Sequence, residues 1–218
     1  MSAPLAGLML EVQRRLEGLY ALEPNSPVSE FLIPEREAAS YPGGGSRTLL
    51  QQHGDDSVSL GVVLDPSVSD ALQRHDPRAR LDRENFGPFC TLAEEVSHFL
   101  YLLYCVRAAR SVTELELELQ GELDKYLSSL FLLTLQNEGA VSARLRELLF
   151  REYRLQDGLA PERAERYRAA NDLAWRYSGH LEARYLRGAR SFPDLVREAR
   201  RFYRLGQREK LEKIALLQ

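Results

Sequence analysis

The stretch FCTLAEEVSHFLYLLY, residues 89–104, decides how the rest of the chain is interpreted. Thr91-x-x-Glu94 has the form of a capping box, in which a hydroxyl and a carboxylate three residues apart cap a helix start. We therefore expect a helix from Thr91 to about Ala109. Residues four apart share a helix face, so Glu94 and His98 are predicted to point the same way, with Glu95 beside them.

The pentapeptide EEVSH, residues 94–98, differs in one position from H-E-x-x-H, a helical motif that holds a metal ion through its first and fifth residues. The second residue of that motif is a Glu that acts as a base. Three hypotheses follow: a metal site with an unusual first ligand, a site that has lost its metal, or an ordinary helix. The capping box favours the third, because it explains Glu94 without a metal.

A second group of carboxylates follows in ELELQGELDKYL, residues 116–127. The preceding TELELELQ alternates with period two, but Glu and Leu favour helix and β-branched residues are few. Overlapping capping boxes at residues 111–116 predict where this helix begins. Glu114, Glu118 and Glu122 then share one face, where three like charges repel each other unless a cation or a basic group offsets them.

The remaining segments predict one hairpin and several further helices. RTLLQQHGDDSVSLGVVLDP, residues 47–66, has two strand-like runs around a polar turn, and residues 58–64 form the better of the two. A short strand is also predicted at residues 30–33. Helices are predicted over residues 4–20, one turn at 68–74, and then 139–156, 161–187 and 191–216.

Composition is that of an ordinary globular protein. Of the 218 residues, 44% are hydrophobic and 28% charged, and the net charge of −3 gives no general reason to expect nucleic acid or an anionic membrane as partner. Cys90 and Cys105 lack C-x-x-C spacing and are predicted to be buried and reduced. No signal peptide and no apolar run of about 18 residues is found, so we expect a cytoplasmic protein without a membrane segment.

Several weaker candidates remain. His180 could replace the missing first ligand, although a packed or surface histidine is the favoured interpretation. The basic segment at residues 197–210 could meet nucleic acid or an acidic partner, whereas the mixed charges elsewhere favour a solvated surface. Glu95-x-x-His98 also fits a di-iron bundle, but Tyr177 stands where a second E-x-x-H needs its Glu. PGGGS lacks the Lys and helix of a phosphate loop and is predicted to be a flexible turn.

The order of strand, irregular segment, EEVSH helix and Glu-bearing helix resembles the ImmA/IrrE-type metallopeptidase domain, a compact gluzincin of bacterial and phage regulation. LGVVLDPSVS, residues 60–69, is similar to its strand and turn. FCTLAEEVSHFL is similar to the entry into its motif helix, and LQGELDKYLSSLFLL to its second motif. The resemblance covers about residues 55–135, and residues 140–218 have no assigned counterpart.

The resemblance implies that Glu94, His98 and Glu122 hold a metal, with Glu95 as the base and Asp124 as a supporting residue. A set of one His and two carboxylates is unusual for catalytic zinc and also suits iron or manganese. We therefore expect either a divalent Zn, Mn or Fe ion or the loss of the metal.

These observations predict an α+β protein that is predominantly helical, with a small antiparallel sheet and a zincin-like two-helix core. Residues 1–137 form the metallopeptidase-like domain, and residues 138–218 a helical extension. The expected function is that of a pseudoenzyme acting through a protein partner in bacterial regulation or defence. The alternatives are an active metal-dependent hydrolase and a helical binding or scaffold module, and the oligomeric state is left open.

Overall fold

Two long helices, α4 (Phe86–Arg107) and α5 (Glu114–Gln136), pack side by side at the centre of the protein. The computed structural model describes residues 2–41, 44–54, 57–140, 142, 144–153, 155, 158–187 and 191–217. The other elements are α1 (Ala3–Tyr20), a 3-10 turn (Val28–Phe31), α2 (Glu35–Ala38), β1 (Arg47–His53), β2 (Ser57–Val63), α3 (Pro66–Arg74), α6 (Leu145–Phe150), α7 (Pro161–Leu181) with a π-helical turn (Glu182–Leu186), α8 (Phe192–Arg204) and α9 (Gln207–Ala215). The predicted class is confirmed: an α+β fold, predominantly helical, with a small antiparallel sheet.

Helix α4 begins five residues before the predicted capping box. Asn85 precedes it, and the Asn85 amide donates hydrogen bonds to the carbonyls of His75 (3.1 Å) and Arg80 (2.8 Å). Pro88 is tolerated because it lies in the first turn, where its missing N–H leaves no intrahelical bond unmade. Thr91 and Glu94 therefore lie inside the helix, and the capping-box explanation of Glu94 is wrong.

Helix α5 begins where its sequence predicts. The Thr113 hydroxyl caps it by accepting a hydrogen bond of 3.2 Å from the backbone N–H of Glu116. The Glu116 side chain does not close a capping box. It turns inward instead, where it accepts hydrogen bonds from Tyr101 (2.5 Å) and Arg110 (2.7 Å). The predicted helix is therefore confirmed, and the period-two alternation of residues 113–120 does not form a strand. As part of the helix, Glu116, one of the polar residues of that alternation, reaches partners inside the protein.

The hairpin forms as predicted, with β1 antiparallel to β2 and Leu50 opposite Leu60. The two Asp residues of its predicted turn, at 55 and 56, lie outside the described residues. Residues 30–33 do not form a strand: a 3-10 turn is followed by one parallel bridge from Leu32 to Val62. The hairpin lies against α4, where Thr48 reaches Glu95.

A buried polar network ties the C-terminal helices to the centre. Asp124 accepts hydrogen bonds from Ser97 (2.6 Å), Gln120 (3.1 Å) and Tyr20. The Lys210 ammonium, which is wholly buried, donates to Gln120 Oε1 (2.9 Å) and to the Tyr101 hydroxyl (2.7 Å). Helices α1, α4, α5 and α9 are thereby joined, and the buried polar groups are satisfied as a buried network requires.

Much of the basic segment at residues 197–210 is used inside the protein. Arg200 donates to the carbonyls of Leu19 (2.7 Å) and Gly18 (2.9 Å), which belong to the unpaired end of α1. Arg204 donates to the Tyr20 carbonyl (3.0 Å) in the same way. These cations face the negative end of a helix dipole, so their positive charges have an internal counterpart.

The apolar helix α4 is long enough to cross a bilayer by length and composition, but 67% of its most apolar window is buried inside the protein. That burial is typical of a core helix. One hydrophobic cluster includes buried residues from both predicted domains, from Leu5 to Ile214. The division between residues 137 and 138 stays a prediction.

Replacing Lys210 by Met tests the network through its pH dependence. Burial lowers the pKa of Lys210 to about 7, from 10.5, against the opposing charges of Glu116 and Asp124. Between those values the unfolded chain binds a proton here that the folded chain lacks, so stability rises with pH. Between about pH 6 and pH 9, wild type should gain roughly 3 kcal/mol relative to Lys210→Met in chemical denaturation. A difference independent of pH would contradict this assignment.

Candidate functional site

A cleft of about 760 Å³ lies between the hairpin, the paired helices α4 and α5, and α7. Its floor carries seven ionisable side chains from the central helices, three from α4 and four from α5: Glu94, Glu95, His98, Glu114, Glu118, Glu122 and Lys125. Helical spacing explains this grouping, because Glu118 and Glu122 share one face of α5, and Glu94 and His98 share one face of α4. The two faces meet where the helices pack.

Three of these side chains, Glu94, His98 and Glu118, form a candidate metal-ligand set, called the trio below. One ligand atom from each of Glu94, His98 and Glu118 lies within 4.8 Å of the others. His98 Nε2 lies 3.7 Å from Glu118 Oε2. It is buried without a hydrogen-bond partner among the described residues, whereas the ring also interacts with the backbone of Leu117. A buried imidazole nitrogen directed at carboxylates and lacking a partner fits a cation ligand.

Gly121 makes this arrangement possible. A Cβ atom at that position would lie only 2.6 Å from His98 Nε2 and 3.4 Å from Glu94 Cγ. Real Cβ atoms do not approach nitrogen that closely, so the absence of a side chain lets the imidazole lie against α5. Gly121 therefore sets the position of His98.

Glu122, the predicted third ligand, has a different partner. The Lys125 ammonium lies 2.9 Å from Glu122 Oε1 and 3.0 Å from Glu94 Oε2. Because α4 and α5 run antiparallel, Glu122 lies level with Glu94, and Glu118, one turn earlier, lies level with His98. The structure brings Glu94 and His98 together as predicted. The third side chain of the candidate set is Glu118 and not the predicted Glu122.

Charge is unevenly offset in the cleft. Burial, followed by the charge of Glu94, raises the pKa of Glu118 to about 8 and that of Glu95 to about 8. Burial also raises the pKa of Glu122, although Lys125 opposes it. The buried carboxyl groups of this floor are faced by Lys125 and His98, and Arg166 acts on Glu118 from further away. Burial keeps two of their pKa values high, so a further cation would be stabilised here.

The pKa values of Glu94 and Lys125 both shift in the direction of the charged form, in spite of burial. Burial opposes ionisation of Glu94, but Lys125 and His98 outweigh it and lower the pKa of Glu94. Burial likewise opposes the charge on Lys125, yet Glu122 and Glu94 raise its pKa well above the ordinary value. Burial lowers the pKa of His98, so the neutral imidazole, the form that binds metals, is favoured.

Glu95, the predicted base, is held at the hairpin side of the cleft. The Thr48 hydroxyl donates a hydrogen bond of 2.8 Å to Glu95 Oε2 and is also 3.2 Å from the Glu95 carbonyl. This contact fixes the carboxylate beside the trio but outside it. Glu95 lines the same cleft as the trio, and its contact with Thr48 leaves Glu94, His98 and Glu118 free to bind an ion together.

A further wall of the cleft comes from α7 and was not predicted. Arg163 donates to the Tyr167 hydroxyl (3.0 Å), and Arg166 pairs with Glu114. Burial and then the charge of Glu118 raise the pKa of Tyr167 to about 12. The phenol therefore lies within electrostatic reach of the trio, and it stays protonated as a hydrogen-bond donor. No sequence signal pairs residues 163–167 with the central helices, because the contact is long-range.

The other predicted candidates lie elsewhere. Asp124 belongs to the buried network with Ser97 and is not a cleft residue. His180 lies beside Tyr177, with ring centroids 6.3 Å apart, and is not among the side chains lining the cleft. Cys90 and Cys105 are buried free thiols, as predicted.

The fold and the cleft define a class: a predominantly helical α+β protein with a candidate carboxylate and histidine metal centre. Comparisons with protein-family models, curated proteins and solved structures found no significant match to this chain.

Substituting Gly121 by Ala should displace His98. The new methyl group overlaps Nε2, so we expect a loss of about 1–3 kcal/mol of stability, typical of overpacking. Chemical denaturation measures the loss, and the imidazole NMR shifts of His98 report its displacement. Gly18→Ala is the control, because a Cβ there meets nothing within 4 Å. It should be neutral or stabilising by up to about 1 kcal/mol. Equal effects of the two substitutions would argue against the close contact.

Proposed function

We propose that the cleft is the metal centre of a metal-dependent hydrolase, with Glu94, His98 and Glu118 as protein ligands. The observation that carries this proposal is the convergence of these three side chains, together with a buried His98 Nε2 that has no hydrogen-bond partner among the described residues. Metal–ligand bonds of about 2.0–2.2 Å are within reach of small side-chain movements from such spacing.

The chemistry of the donor set fits a divalent ion. One imidazole and two carboxylates suit manganese, iron or zinc, with other coordination positions open to water or substrate. The surplus of carboxyl groups over cations in the cleft adds electrostatic support. A divalent ion bound here would supply Lewis-acid polarisation of a carbonyl group.

The chain's own residues provide the remaining functions of a hydrolase. Glu95 is held by Thr48 beside the ligand set, where its carboxylate can accept a proton from water and return it to a leaving group. Tyr167 is protonated and held by Arg163 in the same cleft, so it can donate a hydrogen bond to a developing oxyanion. Base and donor thus line one cavity.

The resemblance to ImmA/IrrE-type domains suggests a peptide bond as the substrate and a role in bacterial regulation. The peptide substrate and the regulatory role rest on the residues that carry the resemblance. If both are right, the partner of this protein is another protein, which it either cleaves or binds.

Lys125 favours a second candidate, the pseudoenzyme. Its ammonium already lies between Glu94 and Glu122, two of the three ligands that the resemblance implies. A lysine can replace a metal ion as the charge that offsets two carboxylates. In this alternative the protein acts through binding alone, as a scaffold module also would.

Metal binding separates these candidates. We expect one Mn²⁺ or Zn²⁺ per chain by calorimetric titration, checked by elemental analysis after purification without chelator. Glu118→Gln removes a ligand and should weaken binding by about 100-fold or more, whereas Glu122→Gln should change it by less than about tenfold. The two substitutions are chemically identical and one helical turn apart, so each is the other's control.

Two results would contradict the metal proposal. Wild type that takes up no metal on titration would favour the pseudoenzyme. A larger loss in Glu122→Gln than in Glu118→Gln would restore the ligand set that the resemblance implies.

Glu95→Gln tests the chemistry independently of metal binding. The amide keeps the shape and one acceptor for Thr48 but cannot take up a proton, so turnover of a susceptible peptide should fall by about 100-fold or more. Metal affinity should stay near that of wild type, because Glu95 is outside the ligand set. Unchanged turnover in a metal-loaded variant would remove Glu95 as the base.

A further inference from the structure

We infer that Lys125 is a tethered cation that competes with the metal ion for Glu94, and that Glu122 is its anchor and not a metal ligand. The inference rests on the proposed function, because it concerns the same ligand set. It assigns to Lys125 and Glu122 the role of setting the metal affinity of the cleft.

The contacts of Lys125 carry the inference. Its ammonium lies 3.0 Å from Glu94 Oε2 and 2.9 Å from Glu122 Oε1, both within hydrogen-bonding distance. The Lys125 side chain is only 14% exposed, and the carboxylates it contacts are 20% and 11% exposed. The ammonium is therefore held by the two carboxylates and is little hydrated, unlike a surface lysine.

Glu94 belongs to both arrangements. One of its oxygens contacts Lys125, and the residue also contributes to the trio with His98 and Glu118. A carboxylate shared by an ammonium and a divalent ion brings two positive charges close together in a poorly hydrated place. Metal affinity is then reduced by their repulsion and by whatever contact Lys125 must give up.

Glu122 makes the competition reversible. It lies three residues before Lys125 on α5, so the two stay paired when Glu94 turns toward a metal ion. Without Glu122 the ammonium would depend on Glu94 alone, and displacing it would leave an unpaired buried charge. Glu122 is thus a positioning residue, which explains why it lies on the ligand face and yet outside the trio.

The test is calorimetric titration of Mn²⁺ and Zn²⁺ into wild type and Lys125→Met. Methionine has a similar length and no charge, so affinity should rise by roughly 10- to 100-fold, the size of effect that residues around a metal exert. The control is Lys213→Met, which removes a lysine paired with Glu198 at 2.8 Å outside the cleft. Its metal affinity should equal that of wild type.

A double variant sharpens the test. In Lys125→Met/Glu118→Gln, Glu122 is released from its anchor role and can replace the lost carboxylate. The double variant should therefore recover at least about tenfold of the affinity that Glu118→Gln loses. A merely structural role for Lys125 predicts no such recovery.

Each outcome decides something. Affinity in Lys125→Met equal to or weaker than that of wild type would overturn the inference, as would the absence of metal binding in both proteins. Binding in Lys125→Met but not in wild type would uphold the inference and refute the proposed function, since the lysine would then exclude the ion. If circular dichroism shows that Lys125→Met does not fold, Lys125→Met/Glu122→Gln is compared with Glu122→Gln, and the same rise is expected.

Discussion

The close approach of α4 and α5 at Gly121 is the constraint on which the site depends. A missing side chain on α5 allows the His98 ring to lie against that helix, which puts Nε2 3.7 Å from Glu118. The same antiparallel contact puts Glu94 level with Glu122 and within 3.0 Å of the Lys125 ammonium. One packing register thus determines which residues can share a cation. A shift by one turn would exchange the neighbours of every ionisable group on the cleft floor.

Packing in this register also creates an electrostatic problem. Carboxyl groups that a solvated helix would present to water are buried together, and burial disfavours their charged forms. Two ion pairs offset part of this negative charge: Arg166 pairs with Glu114, and Lys125 pairs with Glu122. Basic groups thus pair with two of the three carboxylates on the Glu face of α5. Among the described residues only the His98 imidazole pairs with Glu118 within 4 Å, while Lys125 and Arg166 act on it from further away. The proposed metal ion would lie beside this carboxylate.

Helical periodicity and turn signals predicted the fold class, the hairpin and the pairing of Glu94 with His98, because these depend on local spacing. The capping box at Thr91 failed because Pro88 fits the first turn of a longer helix. Glu118 was on the predicted face, but choosing it over Glu122 requires the packing register of two helices, which no local pattern contains. The role of Lys125 depends on the same register, so a one-letter change in a motif could not reveal it.

Helix α7 is part of the cleft, although the resemblance gives it no counterpart. Helix α7 packs along α5 and brings Tyr167 and Arg163 to the cleft. The π-helical turn after α7 carries Glu182, which accepts a hydrogen bond of 3.1 Å from Tyr126 on α5. Lys210 holds α9 to the same central helices. The lining of the cleft therefore comes from both parts of the chain: α4 and α5 form its floor, and α7 forms one of its walls.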